Sequence, residues 1–111
     1  MNYYDINGVP VSTLEWTKML KDMDYRRIGL DTFDGWIIST VWLGLDHHFG
    51  NGPPLIFETM VFKKGVSVGE PDYTNRYSTL EEAKQGQAYT VEAYKSLVRR
   101  QKMVNDQGDV T

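Results

Sequence analysis

The chain has 111 residues, of which 41% are hydrophobic, 24% charged and 13% aromatic, a size and composition that fit one folded domain and exclude wholesale disorder. It contains no cysteine, which excludes a disulfide framework, a thiolate zinc site and a cysteine nucleophile. Twelve Lys and Arg against fifteen Asp and Glu leave a net charge of −3, too mild a balance to point to nucleic acid.

The first residues, Tyr3-Tyr4-Asp5-Ile6-Asn7-Gly8-Val9, set an Asn-Gly pair between short β-prone runs, the signature of a type I′ turn in a small hairpin. They hold neither a basic region nor an apolar core, so no signal peptide is expected. Pro10 confines any strand there to an edge. In Ser12-Thr13-Leu14-Glu15, the Ser12 hydroxyl can accept from the Glu15 amide while the Glu15 carboxylate reaches back, a capping box that opens a helix. Trp16, Met19, Leu20 and Met23 follow at the spacing of one buried helical face.

Residues 28–33, then Asp34-Gly35, then 36–45 read as a β-hairpin, because Asp-Gly suits the positive φ angles of a two-residue turn. The stretch 36–45 is too short to span a bilayer and is broken by Ser39 and Thr40. A polar loop over 47–54 leads to a third strand over 55–62. Pairing His47 with Leu55 puts Leu55, Phe57, Thr59 and Val61 on the same face as Ile28, Leu30, Thr32, Ile37, Ser39, Val41, Leu43 and Leu45, which is the predicted core face. Residues 73–77 can add a fourth strand. Ser78-Thr79-Leu80-Glu81 is a second predicted capping box, opening a helix that Gly86 weakens by about 1 kcal/mol relative to Ala. Arg99, Arg100 and Lys102 suit its negative pole, and residues 104–111 are expected to fray beyond a compact domain of residues 1–103. The expected fold is α+β: a three- or four-stranded antiparallel sheet with two helices packed on one face, in the order α-β-β-β-α with a short N-terminal hairpin.

The same register places Arg27, Phe33, Trp36, Ile38, Trp42, Asp46, Ile56, Glu58, Met60 and Phe62 on the opposite face. Two tryptophans, two phenylalanines and a methionine with an arginine are the residue types of an interface, so Arg27, Phe33, Trp36, Ile38, Trp42, Glu58, Met60 and Phe62 form the predicted binding surface. A carboxylate in so apolar a strand needs a partner, and Arg27, Arg76 or His48 can supply one to Glu58.

Asp46, His47 and His48 with Glu58, beside Asn51 in the same loop, invite a metal or acid–base site. Neighbouring side chains on an extended chain point to opposite sides, so both histidines cannot face one ion without a bend. No metal, cofactor or catalytic residue is therefore assigned. Gly50-Asn51-Gly52-Pro53-Pro54 lacks the Lys-Ser/Thr ending of a phosphate loop. The helix and strand order resembles that of double-stranded RNA-binding domains, but the second helix starts with Glu81-Glu82 where such domains need basic groups, and no nucleic acid is expected.

In Ser39-Thr40-Val41-Trp42-Leu43-Gly44-Leu45-Asp46-His47, in Gly52-Pro53-Pro54-Leu55-Ile56-Phe57-Glu58-Thr59-Met60-Val61-Phe62, and in Arg76-Tyr77-Ser78-Thr79 with Glu82-Ala83 and Gly86, the chain resembles a family of small uncharacterised bacteriophage and prophage proteins over about residues 5 to 95. The resemblance implies a viral accessory gene expressed in a bacterial cytoplasm. Members commonly carry Gly-His where this chain has Gly86-Gln87, and the change removes a potential ligand or base. The resulting expectation is a non-enzymatic phage protein that binds a host or phage protein, for host takeover or against defence, with no membrane partner and self-association left open. The alternatives are a small hydrolase or metal-dependent enzyme centred on Asp46, His47, His48 and Glu58, and a virion structural component.

Overall fold

The computed structural model describes residues 2–46, 50–66 and 69–108, with residues 107 and 108 described by backbone alone. The fold is α+β, as expected: a four-stranded antiparallel sheet, a two-stranded sheet, and helices packed against the larger sheet. Chain order is β1 (Tyr3–Tyr4), β2 (Pro10–Val11), α1 (Thr13–Leu20), α2 (Met23–Arg26), β3 (Arg27–Phe33), β4 (Trp36–Trp42), β5 (Phe57–Lys63), β6 (Tyr73–Tyr77) and α3 (Leu80–Gly108). The large sheet runs β3-β4-β5-β6, so each strand pairs with its neighbour in sequence.

Local chemistry explains most boundaries. The Ser12 hydroxyl accepts from the Glu15 amide at 3.2 Å and starts α1. The helix stops at Leu20, because the Asp22 carboxylate accepts from the Tyr25 amide and opens α2 as a separate turn; Met23 accordingly lies 54% exposed and leaves the predicted buried stripe. Asp34 and Gly35 have φ of 49° and 82°, as a type I′ turn requires, and Phe33 stands opposite Trp36 as expected. The first hairpin closes differently from expectation. Only Gly8 of its Asn-Gly pair has positive φ, and the Asp5 carboxylate holds the turn by accepting from the amides of Asn7 and Val9. At α3 the cap sits one residue later than predicted: Thr79 accepts from the Glu82 amide at 3.1 Å and donates to its carboxylate at 2.9 Å. The helix continues through Val104 to Gly108.

The predicted buried face is reversed in β4 and in β3 from Leu30 onward, while Ile28, before the register break at Gly29, packs against the core as expected, and β5 is correct. Strand β4 ends at Trp42, where the amides of Leu43 and Gly44 both turn to the Ile56 carbonyl. Trp42 therefore pairs with Phe57 and Val41 with Glu58, three residues away from the predicted register. An odd shift exchanges faces. The helix side of the sheet thus holds Trp36, Ile38, Thr40 and Trp42 with Phe57, Thr59 and Val61, so Trp36, Ile38 and Trp42 are core and not surface.

Two apolar clusters fill that side. Trp36, Ile38, Val61, Val91 and Val98 form one, with Phe33 and Tyr94 against them. Trp42, Ile56, Phe57 and Ala83 form the other, where Tyr4, Trp16, Met19, Leu20 and Tyr25 pack. Ile38, Trp42, Ile56, Phe57 and Val61 are all 0% exposed, each contributing about 1.5–3 kcal/mol or more by burial. Between the clusters lies a polar seam. Gln87 donates to the Asp31 carboxylate at 2.8 Å and the Ile38 carbonyl at 3.0 Å, and its carboxamide oxygen accepts from the Thr40 hydroxyl at 2.6 Å. Since Thr40 has a single proton, Thr59 donates to it.

This crossing is possible because two glycines clear it. A methyl group at Gly29 would meet the Gln87 side chain at 2.6 Å, and one at Gly86 would overlap the hydroxyl and ring of Tyr77. Gly86→Ala should therefore destabilise by about 1–3 kcal/mol through overpacking, even though Ala is the better helix former. In a Tyr77→Ala background the same change should be neutral or stabilising, a double-mutant cycle read by urea denaturation. Gln87→Leu should cost about 2–4 kcal/mol, since it leaves Asp31, Thr40 and the Ile38 carbonyl without their partner.

Two phenols couple the fold to alkaline pH. Burial, and then the Asp72 carboxylate that accepts its proton at 2.6 Å, push the Tyr94 phenol above its ordinary range. Burial also raises Tyr25, against the Ile6 amide that donates to its oxygen at 2.7 Å. Both hold their proton in the folded chain where the unfolded chain has begun to lose it. Their contribution to stability is thus fully present below about pH 10 and is lost as pH rises above it. Tyr94→Phe should flatten that fall in denaturation curves measured across the alkaline range.

Candidate functional site

Strand alternation leaves the other side of the sheet as three cross-strand rows. They are Val41–Glu58–Arg76, Leu30–Ser39–Met60–Thr74 and Thr32–Ile37–Phe62. Arg27 stands beside Val41 at the rim and is exposed. Leu30 is 47% exposed, and Ile37, Val41, Met60 and Phe62 are half-buried. None of these five joins either core cluster. Among the described residues the helices and the N-terminal hairpin pack on the opposite side, so this face presents a contiguous apolar centre.

Of the eight residues predicted for a binding surface, the structure keeps Arg27, Glu58, Met60 and Phe62 on this face and moves Phe33, Trp36, Ile38 and Trp42 under α3. Leu30, Ile37 and Val41 take their place. The signal for these three was present in the alternation of β3 and β4, but β4 is apolar on both faces and alternation alone does not say which one the helix covers.

Glu58 is 6% exposed and pairs with Arg76, whose Nε donates to its Oε2 at 2.8 Å. The predicted need for a cation is met across the β5–β6 ladder. The guanidinium has further donors beyond Nε, and the Arg76 side chain remains 42% exposed, so it can satisfy Glu58 and still meet an incoming acceptor. With Arg27 the face carries two cations and one carboxylate, on a chain whose net charge is −3.

The predicted acid–base cluster is not assembled by the residues described. The Asp46 carboxylate accepts from the Leu55 amide at 3.1 Å and so ties the two ends of its loop. Glu58 is committed to Arg76, and His47 and His48 lie outside the described residues. Asn51 lies in the exposed loop. Among the described residues no group of three or more His, Asp or Glu is placed to hold a metal, and no helix is long and apolar enough to cross a membrane. Gln87 is a buried connection between α3 and the sheet.

No protein-family model, curated protein or solved structure matches the chain.

Glu58→Leu and Arg76→Leu test the pair. Removing Arg76 alone should cost about 2–4 kcal/mol, because it strands a buried carboxylate. The double substitution should recover most of that loss in thermal or urea unfolding.

Proposed function

We propose that the protein acts by protein–protein interaction, using the open face of the large sheet to dock a partner protein whose contact surface is apolar at its centre and acidic at its rim. The observation that carries this reading is the joint exposure of Leu30, Ile37, Val41, Met60 and Phe62 beside Arg27 and Arg76. Apolar side chains with Met, an aromatic ring and Arg are the composition of an interface core. The excess of cations on this face, against an acidic chain, favours a partner of negative rim charge. The setting belongs to the proposal as well: the sequence resemblance favours a phage gene product acting in the cytoplasm of an infected bacterium on a host or phage protein, in host takeover or against defence.

The test uses tagged protein purified from infected cells, followed by reconstitution of the captured partner with pure chain. Met60→Glu and Leu30→Glu should each weaken the reconstituted complex by about tenfold or more in calorimetry, with unfolding unchanged within about 0.5 kcal/mol. Lys84→Glu on the exposed side of α3 should leave affinity unaltered. Binding indifferent to Met60 and Leu30 would remove the face from the mechanism.

A further inference from the structure

The large sheet ends on two unlike edges. Strand β3 is guarded in the usual ways: its register breaks between Arg27 and Gly29, and Asp31 is a charged residue turned inward to Gln87. Strand β6 carries no such guard. Its five residues, Tyr73-Thr74-Asn75-Arg76-Tyr77, contain no proline or lysine, run in unbroken register with β5, and their one charged side chain is engaged with Glu58.

The orientation of its outer groups is fixed by one hydrogen bond. The Arg76 amide donates to the Asn75 side-chain oxygen at 3.0 Å and so points away from β5. By ladder alternation, Thr74 and Arg76 both present N–H and C=O outward, while Tyr73, Asn75 and Tyr77 pair with β5. The Asn75 side chain occupies the place that an incoming carbonyl would take. Beside this edge lies a groove of about 400 Å³ between β6 and α3, walled by Tyr73, Asn75, Tyr77 and Tyr89. Tyr89 is 75% exposed there, more than any other large apolar or aromatic side chain described.

The residues of β6 read nearly the same in both directions about Asn75. An antiparallel strand of the same sequence, centred there, sets Thr74 opposite the second copy's Arg76 and Tyr73 opposite its Tyr77. Four backbone hydrogen bonds close around the two-fold axis, and the tyrosines meet as aromatic cross-strand pairs. We infer that β6 pairs with β6 of a second copy of this chain, joining the two sheets into one of eight strands with Asn75 on the two-fold axis. Such an interface is isologous and closes on itself, so the unguarded edge produces a dimer and not a fibre. The inference is independent of the partner proposed for the open face; it would set two copies of that face side by side.

Sedimentation equilibrium on the full chain tests it. The wild type should reach twice the 12.8 kDa chain mass as concentration rises. Thr74→Pro removes only an outward donor, where an edge strand tolerates proline, and should sediment as a single chain with unchanged far-ultraviolet dichroism. Asn75→Asp and Asn75→Lys each set like charges about 4.5 Å apart between Cα atoms at the axis and should weaken the dimer by about tenfold or more at low salt. An equimolar mixture of these two variants should restore it as a heterodimer. A wild type that stays at single-chain mass, a Thr74→Pro protein that still dimerises, or Asp and Lys variants whose mixture associates no better than either alone would overturn the inference.

Discussion

The structure turns on how closely α3 can lie against the sheet where Gln87 meets Asp31, Ile38 and Thr40. A carboxamide at this point uses both of its protons and its oxygen on partners from two adjacent strands, and a buried amide so satisfied has one orientation. The geometry sets the helix crossing, because Gly29 and Gly86 leave room for it and larger residues would not. Apolar contacts alone would tolerate sliding along the sheet; the seam between the two clusters does not.

From that crossing follows the division of labour between the sheet faces. Once α3 lies over Trp36, Ile38, Thr40 and Trp42, the N-terminal hairpin and short helices complete the same side around Trp42. The Trp42 indole donates to the Tyr4 carbonyl at 3.1 Å, and the Trp16 indole donates to the Leu43 carbonyl at 2.9 Å. Both tryptophans therefore act as polar ties as well as apolar mass. The other side is left with aliphatic residues, a methionine, a phenylalanine and one screened ion pair. Among the described residues, the helices and the N-terminal hairpin all pack on the first side, and the second is left bare of them.

Local features were legible in the sequence to the extent that their chemistry is local. The Asp34-Gly35 turn and the register it sets, the Ser12 cap and the fourth strand at 73–77 all rest on residues within a few positions of one another. Where prediction failed, a distant contact decided. The end of β4 depends on Leu43 and Gly44 turning to Ile56, which shifted the β4–β5 register by three and exchanged the faces. The misplaced cap of α3 came from two equivalent starts, Ser78 with Glu81 and Thr79 with Glu82, between which only the final hydrogen bonds choose. The pairing of Glu58 was expected and its partner was one of three candidates; cross-strand register selected Arg76.

The amino-acid sequence by itself determined the class of the fold, the order of its elements, the absence of thiol chemistry, and the presence of more apolar strand surface than one sheet face can hide. Those properties follow from composition, periodicity and turn stereochemistry, which act over a few residues. Tertiary structure alone decided which apolar face is buried, which residues make the open one, and that β6 ends the sheet without a guard. A strand such as β4 is apolar on both sides, so its two faces differ in energy only after α3 has found the glycines that admit it.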